Sequence, residues 1–379
     1  MSSTFDVIIV GLGAMGSAAA HHLARRGKRV LGLDRFAPPH AFGSSHGKTR
    51  IIREAYFEHP LYVPLIQRAY ELWAELEIQS GRNLFQPTGG LMIGRPDSAV
   101  VTGALRSAKE HHLKFKLFSG AEVRRQFPGL RPSEEMVAVW EPRAGILFPE
   151  SCIEAHLRLA REHGADLRFD EPVSGWEARA GGVRVVSAHG EYEAGQLVLT
   201  AGGWIKGLLP DLNLPFTVER QVQFWFEPRN AAPFQPARCP IHIWEYEPGR
   251  HFYGFPNLGE GVKAASHHEG EIVSPDNIRR DVSPAEVEGM RRILRQFLPD
   301  ADGPLRSAVV CMYTNTPDHH FFIDRHPECP QVLIASPCSG HGFKFSSAIG
   351  EVLADLVARG ESRFDLSLFG NRRWETQKS

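Results

Sequence analysis

The spacing of apolar residues near the start of the chain predicts two strands joined by a helix. Residues 7–10 form a continuous apolar run, which predicts a buried strand. Helical spacing follows to about Arg26, and a second apolar run ends at Asp34. The sequence GLGAMG at 11–16 stands between the first strand and the helix. A strand–turn–helix–strand unit with GxGxxG at the turn and an acid after the second strand is typical of dinucleotide binding.

The residue types in this turn have a physical explanation. Gly11 permits a tight turn, and Gly13 lets a pyrophosphate approach the backbone at the partly positive end of the helix. Gly16 lets the helix pack closely on the strand. Asp34 can accept hydrogen bonds from a ribose. The motif leaves FAD and NAD open, and Arg35 beside the acid leaves NADP open too.

The rest of the chain alternates between helical and extended patterns. Helical spacing predicts helices over 62–78, 97–111, 119–127, 149–163 and 283–297, and a further helix after the glycine-punctuated turn that follows residue 335. Strands are predicted over 88–93, 136–140, 167–169, 173–177, 182–187 and 191–193, from 196 onward, and, as parallel-type strands, over 307–313 and 331–335. Alternating residues between 216 and 266 predict antiparallel strands with turns between them.

The change from strand–helix–strand units to alternating strands predicts two domains. We expect an α/β protein, α+β overall, with a discontinuous dinucleotide-binding domain at 1–85, 145–215 and 305–379 and a substrate domain at 86–144 and 216–304. The turn after the strand that begins at 196 contains Ala201, Gly202 and Trp204, and is predicted to close over the dinucleotide. The alternative is an ordinary buried parallel strand that meets a helix.

Composition and charge exclude several classes of protein. The 379 residues are 42% hydrophobic and 23% charged, with a net charge of −1, so neither nucleic acid nor an anionic membrane is an expected partner. The sequence shows no secretory signal pattern and no apolar run of membrane-spanning length. Five cysteines are scattered without CxxC or metal-ligand spacing. We therefore expect reduced thiols, a cytoplasmic location and no metal.

Polar residues concentrate in a few segments: 44–53, 263–268, 311–318 and 340–344. Composition alone does not assign them a function, because a loop arginine is usually solvated, a strand-end lysine usually reaches water and a lone cysteine in an apolar strand is usually core. The chain lacks GxSxG and HExxH, which leaves hydrolase and metalloenzyme interpretations without support.

Longer motifs carry a resemblance to a known family. The sequences GLGAMGSAAA, SSHGKTRIIREAY, FPESCI, CMYTNTPDHHFFID and SGHGFKFSSAIGEVL resemble the monomeric sarcosine oxidase family, which includes N-methyltryptophan oxidase and related amine oxidases. The resemblance extends over nearly the whole chain. It implies a monomeric FAD-dependent oxidase with a glutathione-reductase-like FAD domain and a catalytic domain that contains a mixed or antiparallel sheet.

The resemblance also implies roles for individual residues. Cys311 matches the cysteine that joins the flavin through an 8α-S-cysteinyl thioether, and Lys263 matches the lysine that activates O2. Arg53 and Lys344 match the pair that binds the substrate carboxylate, for which a guanidinium fork and an ammonium are suited. The other matched catalytic positions are His267, Arg50, Tyr253 and Tyr313. The full set of expected cofactor contacts is Gly11, Gly13, Met15, Gly16, Asp34, Arg35, Ser44, Ser45, Thr49, Val173, Ala201, Gly202, Trp204, Cys311, Gly340, Gly342 and Lys344.

The chain departs from the family pattern at a few positions. Lys48 stands where an acid is expected, and the segment 263–267 lacks an expected glycine and tyrosine, with Ser266 before the histidine. Pro337-Cys338 precedes SGHGFK in place of glycine and an aromatic residue. Trp244 stands near a substrate-side position where methionine is expected. We expect these departures to change the side-chain specificity more than the type of reaction.

The predicted reaction is oxidation of a secondary N-methyl amino acid such as sarcosine. The products would be the demethylated amino acid, formaldehyde and hydrogen peroxide, with O2 as the electron acceptor. One alternative is a bulkier or cyclic substrate of the N-methyltryptophan or pipecolate type. Another is a flavin dehydrogenase that passes electrons to a carrier. The glycine motif taken alone also permits a nicotinamide-dependent dehydrogenase.

Overall fold

The computed structural model describes residues 5–336 and 339–375. These residues form helices and strands, and the strands form three sheets. The helices are α1 (Ala14–Arg25), α2 (Tyr62–Ser80), α3 (Ala99–Glu110), α4 (Gly120–Gln126), α5 (Pro149–Glu162), α6 (Pro284–Phe297), α7 (Ser346–Arg359) and α8 (Arg372–Glu375). The strands are β1 (Phe5–Val10), β2 (Val30–Leu33), β3 (Arg50–Ile52), β4 (Phe85–Pro87), β5 (Gly90–Gly94), β6 (Lys116–Ser119), β7 (Val137–Glu141), β8 (Gly145–Leu147), β9 (Asp166–Arg168), β10 (Val173–Arg179), β11 (Gly182–Ser187), β12 (Gly190–Leu199), β13 (Thr217–Phe226), β14 (Ile241–Glu247), β15 (Arg250–Phe255), β16 (Val262–His267), β17 (Ile272–Val273), β18 (Leu305–Asn315), β19 (Phe322–Arg325) and β20 (Val332–Ser336).

The first sheet contains the predicted strand–helix–strand unit. Its order is β10-β11-β12-β1-β2-β9, and β20 pairs with both β12 and β19. β1 lies between β12 and β2 and is parallel to both. The apolar run of β1 is buried on both faces of the sheet, as expected for a parallel strand covered on either side. One face packs against helices α1, α2, α5 and α7, which confirms an α/β arrangement around the glycine turn.

The second sheet is mostly antiparallel and has the order β17-β13-β16-β15-β14-β5-β7-β6, with β18 on β13. Only the contact between β14 and β5 is parallel among its described neighbours. Alternate residues such as Phe224, Trp244 and Phe252 form a core on one face, with α6 packed on the same side. The other face turns toward the first sheet. α6 begins with a capping box, in which Ser283 Oγ accepts from Glu286 N and the Glu286 carboxylate accepts from Ser283 N.

The structure corrects two strand predictions. The segment predicted as a parallel-type strand at 307–313 is β18, which runs antiparallel to β13 along its length. An apolar strand does not by itself reveal its partner, and here a long antiparallel ladder on β13 takes it into the second sheet. The separate strands predicted at 191–193 and from 196 onward are one strand, β12, because its first half pairs with β11 and its second half with β1.

None of the helices in the described ranges combines the length and the apolar character that crossing a membrane requires.

Candidate active site

A cavity of about 560 Å³ lies between the glycine turn after β1 and the inner face of the second sheet. Most residues predicted to contact cofactor or substrate line it. They are Gly11, Gly13, Met15, Asp34, Arg35, Ser44, Ser45, Arg50, Arg53, Val173, Ala201, Gly202, Trp204, Tyr253, His267, Tyr313, Gly340, Gly342 and Lys344. The predicted residues that do not line it are Gly16, Thr49, Lys263 and Cys311. The fold therefore brings segments far apart in the sequence to a single cavity.

The three motif glycines have different surroundings. Gly11 has φ +92°, and its N–H donates to Leu33 O at 2.8 Å, which makes the turn. A Cβ at Gly16 would lie 1.8 Å from Gly11 O, so this position needs glycine for helix packing. A Cβ at Gly13 would meet nothing nearer than Ser45 Oγ at 4.0 Å. Gly13 therefore faces open cavity, which leaves its backbone accessible to a ligand.

Asp34 is buried at the end of β2 and holds the turn in place. Its carboxylate accepts from Leu12 N at 2.6 Å and from Phe36 N at 2.9 Å. Burial raises the pKa of Asp34 to about 6, although these two hydrogen bonds favour the ionised form. The carboxylate also lines the cavity, where a ligand hydroxyl could become a third partner.

Arg53 enters the cavity already paired with an acid. Its Nη2 donates to both carboxylate oxygens of Glu58, at 2.8 and 2.6 Å, and its guanidinium lies 4.2 Å from the ring centroids of Tyr56 and Phe57. Arg53 Nε is buried with no hydrogen-bond partner among the described residues. Burial acts to raise the pKa of Glu58, but the charges of Arg53, His341 and Lys344 outweigh burial and hold it below its usual value.

Lys344 is the second buried cation of this region. Its Nζ donates to His341 O at 2.6 Å and lies 3.4 Å from Tyr56 Oη. Burial, assisted by the charge of Arg53, lowers the pKa of Lys344 to about 7. Arg53 and Lys344 both lie over the ring of Tyr56, so the two cationic groups form one corner of the cavity, which is chemically suited to an anion.

His267 and two tyrosines form a neutral wall on the second sheet. His267 Nδ1 lies 3.2 Å from Tyr313 Oη. Burial lowers the pKa of His267 well below its usual value and raises the pKa values of Tyr253 and Tyr313. The wall therefore carries no charge near neutral pH.

Lys263 is buried directly behind the cavity wall. Its Nζ donates to Gly47 O at 2.7 Å, to Thr49 O at 3.0 Å and to Thr49 Oγ1 at 2.9 Å. The ammonium also lies about 5 Å from the rings of Trp225 and Phe255, at 5.0 and 4.9 Å. Burial lowers its pKa well below the usual value. Thr49, predicted as a cofactor contact, instead faces this ammonium.

Cys311 also lies one layer behind the wall. Its Sγ is 3.5 Å from Ser44 O and 3.8 Å from Arg50 Nη2. Arg50 donates further to Ser44 O at 2.7 Å and to His46 O at 2.6 Å, which fixes the loop against the thiol. Ser44 and Arg50 line the cavity, whereas Cys311 does not.

The structure overturns the expectation that Trp244 lies on the substrate side. Trp244 is fully buried in the opposite core and donates to His242 Nδ1 at 2.8 Å, while Ile243 lines the cavity. Successive residues of a strand point to opposite faces, so an error of one position reverses the face. Ser266 also points away, because Lys263 and His267 occupy the cavity side of β16. Pro337 and Cys338 lie outside the described residues.

Several cavity residues were missed from the sequence. They are Phe57, Glu58, Gln223, Ile243, Phe255, Thr314 and His341. Glu58 had the clearest signal, an acid five residues after an arginine that is predicted to bind a carboxylate. Gln223 Oε1 and Thr314 Oγ1 are buried without hydrogen-bond partners among the described residues, and both side chains line the cavity. Unpartnered polar atoms of this kind indicate a site shaped for a ligand.

The glycine turn, the buried acid after β2 and the cavity beside them define a dinucleotide-binding fold. The described residues contain no group of three or more acidic, histidine or cysteine side chains that could hold a metal. The family model for FAD dependent oxidoreductases matches residues 6–356. Monomeric sarcosine oxidase of Streptomyces avermitilis is 49% identical over 98% of both chains. N-methyl-L-tryptophan oxidase of Yersinia pestis is 35% identical over 98% of this chain and 99% of its own.

Solved structures share the fold. NikD, an unusual amino acid oxidase essential for nikkomycin biosynthesis, superposes with a TM-score of 0.85 at 24% identity over 97% of both chains. L-proline dehydrogenase from P. horikoshii superposes with a TM-score of 0.86 at 22% identity over 100% of this chain and 99% of its own. The chain belongs to the FAD-dependent oxidoreductase family, in the part that contains the monomeric sarcosine oxidases. It is an enzyme, and its cofactor is FAD.

Proposed function

We propose that this enzyme oxidises a secondary N-methyl amino acid such as sarcosine with O2. The products are the demethylated amino acid, formaldehyde and hydrogen peroxide. The observation that carries the proposal is the anion-binding corner of Arg53 and Lys344, which opens into the same cavity as the glycine turn. The names of the curated relatives support the same substrate class.

The residues present fit FAD. Gly13 leaves its backbone open to a pyrophosphate, Asp34 offers a carboxylate to a ribose, and the unpartnered Gln223 Oε1 is a free acceptor. We propose that the cofactor contacts predicted from the sequence hold FAD. Of these residues, Gly16 shapes the turn, and Thr49 acts indirectly by accepting hydrogen bonds from Lys263. When bound, FAD accepts a hydride equivalent from the C–H beside the amine nitrogen and passes the electrons to O2.

Arg53 and Lys344 bind the substrate carboxylate in this proposal. Because Glu58 already accepts both hydrogen bonds of Arg53 Nη2, the substrate carboxylate competes with Glu58 for this guanidinium. The neutral wall of His267, Tyr253 and Tyr313 excludes water and favours an uncharged amine, since a low-dielectric surface disfavours the ammonium form. The amine is thereby held in the state that can be oxidised.

We assign the oxygen reaction to Lys263. A fixed positive charge beside the reacting O2 stabilises the negative charge that develops on it. Burial lowers the pKa of Lys263, but the three acceptors on Gly47 and Thr49 match the three N–H groups of an ammonium, so they favour the charged form and hold it in position. Arg50 adds a second cation. Its guanidinium contacts the Cys311 thiol, which places Arg50 at the same end of the cavity.

We propose that Cys311 carries the flavin through a thioether. The thiol lies behind residues of the cavity wall, with Arg50 beside its sulfur. Forming a thioether from a thiol and a methyl group is an oxidation, so attachment requires an electron acceptor such as O2. We expect acid precipitation of the protein to leave yellow colour in the pellet, and a Cys311→Ser variant to release that colour to the supernatant. Colour that remains in the C311S pellet would place the linkage elsewhere.

We further propose that the enzyme is a cytoplasmic monomer that acts on a free amino acid. The cysteines in the described ranges, Cys152, Cys239, Cys311 and Cys329, are all unpaired thiols, which supports a reducing compartment. The domain division at 1–85, 145–215 and 305–379 against 86–144 and 216–304 is retained as a proposal, with the ladder between β13 and β18 joining the two parts.

A bulkier or cyclic amino acid is the second candidate, and the relative named N-methyl-L-tryptophan oxidase favours it. The flavin absorbance spectrum separates the candidates when sarcosine, N-methyltryptophan and pipecolate are each added without oxygen. We expect sarcosine to bleach the visible band fastest and air to restore it with formation of hydrogen peroxide. Faster bleaching by another amine would transfer the assignment to that amine. Bleaching that air fails to reverse would indicate a dehydrogenase.

A further inference from the structure

A second, smaller cavity of about 220 Å³ lies behind Lys263. Most of its wall is apolar and comes from three segments of the fold. The apolar lining residues are Phe148, Trp225, Phe255, Pro256 and Leu258. Phe255 also lines the main cavity, so its ring is a wall shared by the two spaces.

Lys263 lines this cavity but offers it no hydrogen-bond donor. The ammonium has three N–H groups, and Gly47 O, Thr49 O and Thr49 Oγ1 provide three acceptors within 3.0 Å. A molecule in the cavity meets the positive charge of Lys263 and the surrounding rings, but no free N–H of that residue. Such a site disfavours a carboxylate, which requires directed donors, and suits a small apolar molecule.

The outer edge of the cavity carries an ion pair formed by Lys48 and Glu260. Both side chains are largely exposed, with 61% and 49% of their surface open to solvent. Glu260 stands between Gly259 and Gly261, whose φ angles of +105° and +106° belong to glycine. None of these residues lines the main cavity, so this edge reaches solvent away from the amine site. Lys48 is also the position at which this chain departs from the acid expected for its family.

We propose that this second cavity is the passage and waiting site for O2 on its way to Lys263, separate from the route of the amino acid. The inference rests on the oxidase function proposed above. Its two-electron step balances when one O2 takes two electrons from reduced FAD and two protons to give one hydrogen peroxide. Hydrogen peroxide is small enough to leave by the same passage.

Xenon tests the cavity without any turnover, because a dry apolar cavity of about 150 Å³ is large enough to bind it. We expect crystals of the holoenzyme under xenon pressure to show a xenon atom between Leu258 and Lys263. Absence of xenon there would overturn the proposal, since O2 requires the same kind of space.

Rapid mixing tests the passage itself. Leu258 is partly buried and lines only the small cavity, so Leu258→Trp fills it. We expect the rate constant for reaction of reduced enzyme with O2 to fall about tenfold. Leu212→Trp, at a partly buried loop leucine that lines neither cavity, is the matched control and should react at the normal rate. Lys263→Met is the reference variant, because it removes the positive charge and leaves the second cavity open.

The flavin is reduced by light in this experiment, so the result does not depend on the amine. Anaerobic reduction by sarcosine is measured separately and should be unchanged in L258W. If no amino acid reduces the flavin, the proposed function fails while the oxygen measurement remains valid. If L258W reacts with O2 as fast as the unaltered enzyme while its crystal structure shows the cavity filled, the passage proposal is wrong.

Discussion

The residue expected to bind a substrate carboxylate, Arg53, already holds a carboxylate of the protein itself. Its guanidinium is almost fully buried and makes two hydrogen bonds to Glu58. A buried guanidinium left without a partner would be costly, so Glu58 stabilises the free enzyme. The same pairing makes Glu58 a competitor of the substrate.

Glu58→Gln should therefore strengthen carboxylate binding. The variant keeps the size of the side chain and removes the competing charge, and we expect the dissociation constant of acetate to fall about tenfold. The flavin absorbance change on titration with acetate measures it. Glu260→Gln, which removes an exposed acid outside the main cavity, is the control. Equal affinities in E58Q and the unaltered enzyme would contradict the competition.

Lys344 should make carboxylate binding depend on pH. Its pKa is lowered to about 7, so the ammonium is present below pH 7 and is lost as the pH rises through that value. We expect the dissociation constant of acetate to be constant below pH 6 and to rise above pH 7, approaching tenfold per pH unit. In Lys344→Met the profile should be flat across this range, with weaker binding at low pH. A flat profile in the unaltered enzyme would show that Lys344 does not contact the anion.

The glycine turn between β1 and α1 shows how one element combines packing and binding. Its sequence GLGAMG matches a dinucleotide-binding motif, but the glycines of this motif have different roles. Gly16 is closed in by Gly11 O and by Thr200 Oγ1, whereas Gly13 faces the cavity. A motif match alone does not separate these two roles.

Alanine substitutions at the two glycines should therefore have different effects. Gly16→Ala forces backbone atoms apart, and we expect a loss of about 1–3 kcal/mol of stability together with poor FAD retention. Gly13→Ala should leave the thermal stability of the apoprotein unchanged and weaken FAD binding, because its methyl group enters the space of the ligand. Calorimetry of the apoprotein and titration with FAD measure both effects. If G13A destabilises the apoprotein as much as G16A, the division of roles is wrong.

Across the whole molecule, a group of histidines joins three helices on one face of the first sheet. His21 Nδ1 on α1 lies 3.1 Å from His156 Nδ1 on α5, and the ring of His163 stacks on His21. His22 Nε2 lies 3.1 Å from Ser347 O on α7. Two ring nitrogens at this distance require one donor and one acceptor, so His21 and His156 cannot both be protonated, and as neutral rings they take opposite tautomers at this contact.

This group should weaken the fold in acid. Burial lowers the pKa of His21 from 6.5 to about 4, and lowers the pKa values of His22 and His156 well below their usual value. The unfolded chain binds protons first as the pH falls, so the stability is complete above pH 6.5 and declines between pH 6.5 and 4. The slope is about 1.4 kcal/mol per pH unit for each histidine.

His156→Leu should make this decline shallower. Urea unfolding at a series of pH values gives the free energy of unfolding, and the slope between pH 6 and 4 should decrease by about 1.4 kcal/mol per pH unit. His189→Leu is the control, because His189 is exposed in the turn between β11 and β12. Equal slopes in H156L and H189L would show that the buried histidines do not control acid stability.

The sequence by itself determined the features that depend on local spacing. The period of the apolar residues located the helices, α6 among them, and GxGxxG located the dinucleotide turn. The family resemblance rested on long motifs, and the relatives now support it. These motifs contain Arg53 and Lys344, the cations of the cavity. These signals are local because hydrogen bonds and side-chain periods of helices and strands extend over only a few residues.

Only the tertiary structure decided which strands are partners and which face each side chain takes. β18 reads as an ordinary apolar strand, but its ladder with β13 placed it in the second sheet. Trp244, expected on the substrate side, lies in the opposite core, and Ile243 lines the cavity, because a shift of one residue along a strand reverses the face of a side chain. Glu58 paired with Arg53, and Thr49 with Lys263, through contacts in three dimensions that no spacing encodes. The sequence therefore determined the class of chemistry, whereas the fold determined which residues line the cavity and which contact one another.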